Sequence, residues 1–198
     1  MAPILINAGC GSTGAEGLPA YFAAWQHLRV DIDPEMRPDI IADIRDLSVI
    51  GTSAADAIWG SHCIEHLAQH EVPDALSKMR QVLKDDGVLI VLVPDLQTVA
   101  KLVAEDRMTE TLYESAAGPI TPHDIIYGYG VAVAAGRGYM AHRTGFTPTS
   151  LAQSFRAAGF EQFVVLRRVE QCELAVIAHK TAWPSEQHRQ AQIEAIGL

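Results

Sequence analysis

Positive charge is scarce in this chain, which sets 15 Lys and Arg against 24 Asp and Glu and has a formal net charge of −9. Proteins that bind nucleic acid or anionic membrane surfaces present clustered Lys and Arg, and the sequence has no basic cluster. Long apolar segments are also missing, because the longest run, residues 87–94, is far too short to cross a bilayer. We therefore expect neither nucleic acid nor a membrane as a partner.

Cysteine is scarce as well, with three residues in 198 and no paired spacing. An odd, scattered set excludes a disulfide framework and favours a reducing compartment. The sequence also lacks a charged and apolar N-terminal signal, internal repeats and low-complexity stretches. We expect a cytoplasmic protein in which residues 1–198 form a single domain, long enough for a proper core. Its oligomeric state is not indicated.

A glycine-rich loop follows the first apolar run of the chain. Residues 3–6 read PILI and are followed by Asn7, Gly9, Gly11 and Gly14. Glycine lets the backbone turn sharply and lets a ligand approach where a Cβ would obstruct it. In an α/β sheet, such a loop lies at the carboxyl edge of the strands, where nucleotide-like ligands bind. The loop therefore predicts a cofactor site.

The same glycines fit the GxGxxG fingerprint of dinucleotide enzymes, and Asp31 follows at about the right distance for a ribose-binding acid. That motif needs a long helix that begins inside the glycine run and points at a pyrophosphate. Gly17 and Pro19 leave room only for a short helix over residues 20–27. An NAD-dependent oxidoreductase therefore stays an alternative hypothesis, and a cofactor without a pyrophosphate is favoured.

Short apolar strands alternate with helices along the rest of the chain, as in a doubly wound α/β sheet. Strands are predicted at 28–33, 39–47, 56–61 and 88–93, and helices at 72–83 and 149–158. Residues 162–167 and 172–179 predict two further strands in an antiparallel hairpin. The prediction is a Rossmann-like sheet of seven strands with this hairpin at its C-terminal end, followed by a polar tail or loosely docked helix over 183–198.

Five motifs occur in a definite order: NAGCGS, VDIDP, ADIRDL, DAIWGSHCIEHL and ALSKMRQVLKDDGVLIVLVPD. In this order they resemble the motifs of class I S-adenosylmethionine-dependent methyltransferases, and most closely a small bacterial type 11-like subgroup. The resemblance is close over residues 3–95, and residues 143–180 resemble the family's closing helix and strands. It implies S-adenosylmethionine as cofactor and methyl transfer as activity. A cofactor-binding protein without transferase activity stays the second alternative.

The resemblance also implies roles for individual residues. The glycine loop is expected to hold the methionine and ribose, Asp31 the ribose hydroxyls, and Asp43 the adenine amino group. Ser61 and His62 are expected beside the methionine arm or the methyl group. The full set of expected cofactor-binding residues is Asn7, Gly9, Gly11, Asp31, Ile32, Asp43, Ile44, Ser61 and His62.

Residues 96–146 interrupt the alternating pattern between the fifth strand and the last helix. An insertion at this point of an α/β fold lies near the carboxyl edge, so we expect a lid over the site. It is rich in Gly, Tyr and His, and a surface loop with packing tyrosines is the alternative. The candidate substrate-binding residues are Tyr127, Tyr139 and Arg143, and the guanidinium of Arg143 suits a carboxylate or phosphate.

The acceptor is expected to be a small polar metabolite or saccharide that is methylated on oxygen. A hydroxyl acceptor must lose a proton, and a histidine with a pKa near neutrality suits that step. We rank His142 first as general base, because it returns from the lid toward the last helix, with His62 and His123 close behind.

Residues 62–66, HCIEH, also match the HxxEH pattern of zinc peptidases, in which two histidines one helical turn apart bind zinc. Here the pattern directly follows a buried strand and lies within the methyltransferase motifs. We therefore predict no metal site.

Overall fold

The computed structural model describes residues 2–115 and 117–198. Five strands from the first half of the chain form one side of a seven-stranded sheet: β1 (Ile4–Ala8), β2 (Gln26–Asp31), β3 (Ile40–Ile41), β4 (Ala55–Ser61) and β5 (Leu83–Pro94). They pair in parallel in the order β3-β2-β1-β4-β5. Their runs of apolar residues fit strands that are covered on both faces. Helix α1 (Val72–Val82) precedes β5.

The 96–146 segment contains α2 (Leu96–Ala104), β6 (Tyr113–Ser115), β7 (Gly118–Ile120), α3 (Pro122–Tyr127) and α4 (Gly130–Ala134). Strands β6 and β7 form a small antiparallel sheet of their own. Val99 of α2 and Ile125 of α3 are buried together with Cys172. The segment therefore has a small apolar core, which includes Cys172 from the turn that joins β8 to β9.

The chain closes with α5 (Pro148–Ala157), β8 (Gln162–Arg168), β9 (Glu173–His179) and α6 (Glu186–Ile196). Strand β9 pairs antiparallel with both β5 and β8, which completes the order β3-β2-β1-β4-β5-β9-β8. The predicted α/β fold with seven strands and a C-terminal antiparallel hairpin is confirmed.

Apolar layers cover both faces of the sheet. On one face, Ile58 and Val91 of the sheet pack in one cluster with Met79 of α1 and Phe155 of α5. On the other face, the covering side chains are Phe22, Trp183, Ile193 and Ile196, over Ala57, Ile90 and Ile177. No helix in the described part of the chain has the length and apolar character needed to cross a membrane.

Three local predictions are wrong. Residues 20–27 form a single 3₁₀ turn (Ala20–Phe22) followed by the start of β2 at Gln26, not a short helix. The strand predicted over 39–47 is only two residues long, because the Asp43 carboxylate accepts a hydrogen bond from the backbone N–H of Arg45 and turns the chain. Helix α6 is firmly packed, since Ile193 and Ile196 are buried in the core.

Candidate active site

A large cavity of about 910 Å³ lies where β1, β2 and β4 end at the carboxyl edge of the sheet. Its size falls in the range of sites that enclose a cofactor. All the residues expected to bind the cofactor line this cavity, which we call the first cavity: Asn7, Gly9, Gly11, Asp31, Ile32, Asp43, Ile44, Ser61 and His62. The structure therefore brings together residues that are up to 55 positions apart in the sequence.

The glycine loop forms one wall of the first cavity, and its glycines are required by geometry. Gly9 has a φ of +64°, and a Cβ there would lie 2.6 Å from the Cβ of Cys63. Gly11 has a φ of +50°, and its N–H donates to Oδ2 of Asp31 at 2.7 Å. The loop leads into two single 3₁₀ turns, Ala15–Gly17 and Ala20–Phe22. A dinucleotide site would need a long helix at this point.

Asp31, at the end of β2, is oriented by two backbone groups. Its Oδ2 accepts from Gly11 and its Oδ1 accepts from the N–H of Asp33 at 2.9 Å. The following residue, Ile32, leaves half of its surface exposed and lines the cavity. A fixed carboxylate beside an uncovered apolar side chain suits a ligand that carries a diol next to a flat apolar ring.

A second carboxylate, Asp43, is held by Arg45. The Nη2 and Nε atoms of Arg45 lie 2.5 and 3.0 Å from Oδ2 of Asp43, and these hydrogen bonds hold the pKa of the Asp43 carboxyl below its ordinary value. Arg45 also contacts Glu71 at 2.6 Å, and Glu71 lies 3.5 Å from Arg143. The two arginines therefore share one carboxylate at the rim of the cavity.

Asn7 supplies a donor that the protein leaves unused. It is buried at the end of β1 and lines the first cavity, yet its Nδ2 finds no hydrogen-bond partner among residues 2–115 and 117–198. Buried polar groups in folded proteins are nearly always paired. An unpaired amide donor on a cavity wall therefore indicates a ligand that accepts a hydrogen bond.

The 96–146 segment closes the outer side of the first cavity through Tyr139. The hydroxyl of Tyr139 donates a short hydrogen bond to Oδ2 of Asp33. This bond holds the pKa of the Asp33 carboxyl below its usual range and raises the pKa of Tyr139 to about 12. Nearby, Arg137 lies 3.8 Å from Glu35. The segment is thus attached to the loop that follows β2.

His62 lies directly after β4, with a φ of +51° that is uncommon for a residue with a side chain. Its Nδ1 lies 3.2 Å from Glu65 and its Nε2 lies 2.7 Å from Glu173. Burial lowers the pKa of His62, but the hydrogen bonds to Glu173 and Glu65 outweigh this effect and raise the pKa to about 10. Both ring nitrogens are occupied as donors, so His62 has no free nitrogen that could accept a proton.

A smaller cavity of about 310 Å³, the second cavity, lies beside the first. The two share His62, His66 and Met140 as lining residues. His142 also lines the second cavity, and its Nδ1 lies 2.8 Å from the carbonyl oxygen of Ile125. Burial lowers the pKa of His142. We assign its proton to Nδ1, which leaves a lone pair on Nε2 of a neutral ring.

The remaining candidates from the sequence lie in different places. Tyr139 lines the first cavity and not the second, and Arg143 lies on the rim of the first. Tyr127 is exposed and packs against His123, with 4.9 Å between the ring centroids. In the described structure, neither Tyr127 nor His123 is among the residues that line the two cavities.

Sequence reasoning missed two carboxylates and the C-terminus. Glu65 is buried and Glu173 begins β9, and both contact His62. The HxxEH pattern pointed to Glu65, whereas nothing in the sequence connects Glu173 to a residue 111 positions away. Residues 196–198, at the end of α6, also line the first cavity. The available sequence signal was the apolar pair at i, i+3 spacing, Ile193 and Ile196, and the structure buries both.

Comparison with known proteins agrees with this geometry. Residues 6–91 match a family model described as a methyltransferase domain. The match runs from β1 into β5 and so includes β1, β2 and β4, whose carboxyl ends border the first cavity. Among curated proteins, no sequence matches the chain.

Several solved structures share the fold at low sequence identity. A S-adenosylmethionine-dependent methyltransferase from Methanosarcina mazei is 14% identical, with a TM-score of 0.61 over 92% of this chain and 94% of that one. The Burkholderia thailandensis 1,6-didemethyltoxoflavin-N1-methyltransferase, crystallised with S-adenosylhomocysteine, is 17% identical, with a TM-score of 0.54 over 91% and 72%. Human N-acetylserotonin methyltransferase, in complex with S-adenosylmethionine, is 16% identical, with a TM-score of 0.58 over 91% and 48%.

Proposed function

Since this chain is a class I S-adenosylmethionine-dependent methyltransferase, we propose that it methylates a hydroxyl oxygen of a small, neutral, polar acceptor such as a saccharide or a polyhydroxy metabolite. The observation that carries this proposal is the second cavity, which meets the first at His62, His66 and Met140. A molecule bound there lies beside the part of the first cavity expected to hold the methyl group.

The lining of the first cavity supports an assignment of individual residues to parts of the cofactor. We assign Asp31 to the ribose hydroxyls, because its carboxylate is already oriented by Gly11 and Asp33. The unpaired Nδ2 of Asn7 is suited to donate a hydrogen bond to the methionine part of the cofactor. We assign that part of the cofactor to the glycine loop. Ile32 offers its exposed side chain to the adenine ring. Asp43 and the backbone N–H of Ile44 are assigned to its polar edge, and Ser61 and His62 to the methionine arm.

Bound S-adenosylmethionine supplies an activated methyl group on its sulfonium, so the protein mainly has to position the acceptor in line and exclude water. The 96–146 segment is suited to both tasks, and we propose that it is the lid of a single domain. Tyr139 attaches it to Asp33 at the first cavity, and its residues between Tyr113 and His142 form much of the second.

The lining of the second cavity supports a neutral acceptor. Its polar side chains are Tyr113, Ser115, Asp124, Tyr129, Gln171 and Glu173, together with His62, His66 and His142. Neither Lys nor Arg is present in that lining, as far as the chain is described. Arg143, expected from the sequence to bind an acidic substrate, is paired with Glu71 instead. Carboxylates and hydroxyls favour an acceptor that donates hydrogen bonds, as polyhydroxy compounds do.

We assign removal of the hydroxyl proton to His142, which lines the second cavity. The Nδ1 of its ring is bonded to the carbonyl oxygen of Ile125, so its Nε2 is free to accept a proton. His62 is not assigned as the base, since Glu65 and Glu173 occupy both of its nitrogens. His123, beside Tyr127, has no role in this assignment.

The three cysteines are free in the described chain, which supports the expected cytoplasmic location.

The test is turnover of the purified enzyme with labelled S-adenosylmethionine over a panel of neutral saccharides, polyols, carboxylated sugars, phenols and amines. We expect S-adenosylhomocysteine release with neutral hydroxyl acceptors, and an alkali-stable ether methyl group in the product. Turnover confined to amines or ring nitrogens would overturn the assignment to oxygen. Turnover confined to carboxylated acceptors would overturn the assignment to neutral ones.

A further inference from the structure

Three potential ligand side chains converge at the wall of the second cavity, which His66 and His142 line, while Glu65 lines a third cavity of about 210 Å³ together with His142. One donor atom each from Glu65, His66 and His142 lies within 4.8 Å of the others. Glu65 and His66 belong to a 3₁₀ turn, Ile64–His66, just after β4, whereas His142 comes from the end of the lid. Two backbone hydrogen bonds, from the N–H groups of Arg143 and Thr144 to the carbonyl oxygen of Glu65, hold these two parts of the chain together.

Both histidines of this group are oriented in the same way. The Nδ1 of His66 lies 3.2 Å from the carbonyl oxygen of Ala141, and the Nδ1 of His142 lies 2.8 Å from that of Ile125. We assign both protons to Nδ1, which leaves both Nε2 atoms with a lone pair. Histidines that bind metals usually donate their second N–H to a carbonyl or a carboxylate, as these two do.

Glu65 has a buried carboxylate oxygen that the other described residues leave without a partner. Only 1% of its surface is exposed, and its Oε1 accepts from His62. Its Oε2 has no hydrogen-bond partner within the described chain. A buried carboxylate oxygen without a partner is costly unless something in the functional state binds it. Two imidazole nitrogens beside such an oxygen form a donor set that suits zinc and neighbouring divalent transition metals.

We propose that Glu65, His66 and His142 bind one divalent transition-metal ion, with Zn²⁺ as the reference ion, at the wall of the second cavity that His66 and His142 form. This group differs from the zinc-peptidase pattern. It includes His142, which is not part of that pattern, and it leaves out His62, because both nitrogens of His62 are bonded to Glu65 and Glu173. Binding would draw the three donor atoms closer together, because zinc ligands lie about 2.0–2.2 Å from the ion.

The chemical consequence rests on the proposed hydroxyl methylation. A hydroxyl group of the acceptor next to the ion has a lowered pKa and loses its proton to water. The resulting oxygen lone pair forms the new O–CH₃ bond while the S–CH₃ bond breaks, and the bonding electrons stay on sulfur. Nothing is oxidised or reduced. When the ion is bound, Nε2 of His142 is a metal ligand and His142 activates the hydroxyl through the ion; in the metal-free enzyme the same nitrogen is the direct proton acceptor.

The direct test is metal binding to the full-length protein, freed of metal by a chelator. We expect one Zn²⁺ per chain by calorimetry, and visible d–d absorption when Co²⁺ is added. His142→Ala and Glu65→Gln should each weaken Zn²⁺ binding by at least about a hundredfold. His70→Gln, an exposed histidine outside the group, is the matched control and should bind as the wild type does. Thermal melting and S-adenosylhomocysteine binding verify that each variant is folded.

The outcomes separate this proposal from the proposed function. If the wild-type protein binds no Zn²⁺ or Co²⁺, or if His142→Ala binds them as tightly as wild type, the metal site is refuted. If the metal-free enzyme methylates hydroxyl acceptors at the full rate, the metal has no part in the reaction and the proposed function stands. If the metal binds as expected and no hydroxyl acceptor is methylated, the site stands and the proposed function fails.

Discussion

The phenol of Tyr139 donates a hydrogen bond to the carboxylate of Asp33, across 106 positions of sequence. Tyr139 belongs to the proposed lid, and Asp33 follows the strand that ends in Asp31. Both residues line the first cavity. The bond therefore connects closure of the lid to the part of the site assigned to the ribose.

The Tyr139→Phe variant removes this bond and keeps the ring. We expect severalfold weaker S-adenosylmethionine binding and an unchanged melting temperature of the free protein, because the residue is partly exposed and forms no part of a buried cluster. Calorimetry with both variants, Tyr139→Phe and the exposed control Tyr127→Phe, measures the effect. Equal affinity in the two would show that the lid contact does not contribute to cofactor binding.

Asp31 is expected to contribute most of the ribose recognition. The Asp31→Ala variant should bind S-adenosylmethionine about 1.5–3 kcal/mol more weakly, through loss of charge-assisted hydrogen bonds. Asp33→Ala should have a smaller effect, comparable to that of Tyr139→Phe. The comparison uses calorimetry after a melting control, since Asp31 also holds the N–H of Gly11. If the Ala variants of Asp31 and Asp33 bind equally well, the assignment at the end of β2 is wrong.

Three buried cysteines allow footprinting of the cofactor. Cys10 and Cys63 line the first cavity, whereas Cys172 lines the second. Burial raises the pKa of Cys10 and of Cys172, so little thiolate is present at pH 8 and both alkylate slowly. Added S-adenosylhomocysteine should slow iodoacetamide labelling of Cys10 and Cys63 further and leave Cys172 unchanged, as followed by peptide mass spectrometry. Uniform labelling rates with and without ligand would place the cofactor elsewhere.

His142 is expected to be essential for turnover. The His142→Gln variant removes the Nε2 lone pair and keeps a polar side chain. We expect turnover to fall by about 10²–10⁴-fold, with nearly unchanged cofactor affinity. The matched control is His123→Gln. It changes another histidine of the 96–146 segment, one that packs against Tyr127. Normal turnover of His142→Gln would remove His142 from the mechanism.

The C-terminal helix is expected to stabilise both the core and the cofactor site. Ile196 is buried over the sheet, and the residues around it line the first cavity. Ile196→Ala should lower the free energy of unfolding by about 2–4 kcal/mol, each kcal/mol corresponding to roughly 2–4 °C in Tm. Gln187→Ala, at an exposed position of the same helix, is the control. Equal melting temperatures in the two variants would show that α6 is only loosely attached.

The main sheet was largely predictable from sequence because its strands, apart from the two-residue β3, carry their own signals. The apolar runs before Asn7 and around Ile90 define buried strands, and the short link between residues 168 and 172 defines the closing hairpin. Helix α5 was predicted to within one residue, since Thr147 and Pro148 mark its start and Gly159 its end. Motif order then predicted which strand ends contribute residues to one site, and those residues line the first cavity.

What the sequence could not indicate were contacts between distant parts of the chain. Glu173 lies on the last strand of the sheet, and only the β5–β9 pairing brings it to His62. Strand β7 begins at Gly118 and contains Pro119. Glycine and proline are both uncommon inside strands, so the sequence did not predict a strand here. The group formed by Glu65, His66 and His142 depends on how the lid returns to β4, which no local pattern encodes.

The central claim is that the cavity at the carboxyl ends of β1, β2 and β4 binds S-adenosylmethionine for methyl transfer. The most direct measurement is calorimetry of the wild-type protein with S-adenosylhomocysteine, which does not react, and with NAD⁺ for comparison. We predict saturable binding of one S-adenosylhomocysteine per chain, much weakened in Asp31→Ala, and no binding of NAD⁺. Saturable NAD⁺ binding together with no binding of S-adenosylhomocysteine by the folded protein would contradict it.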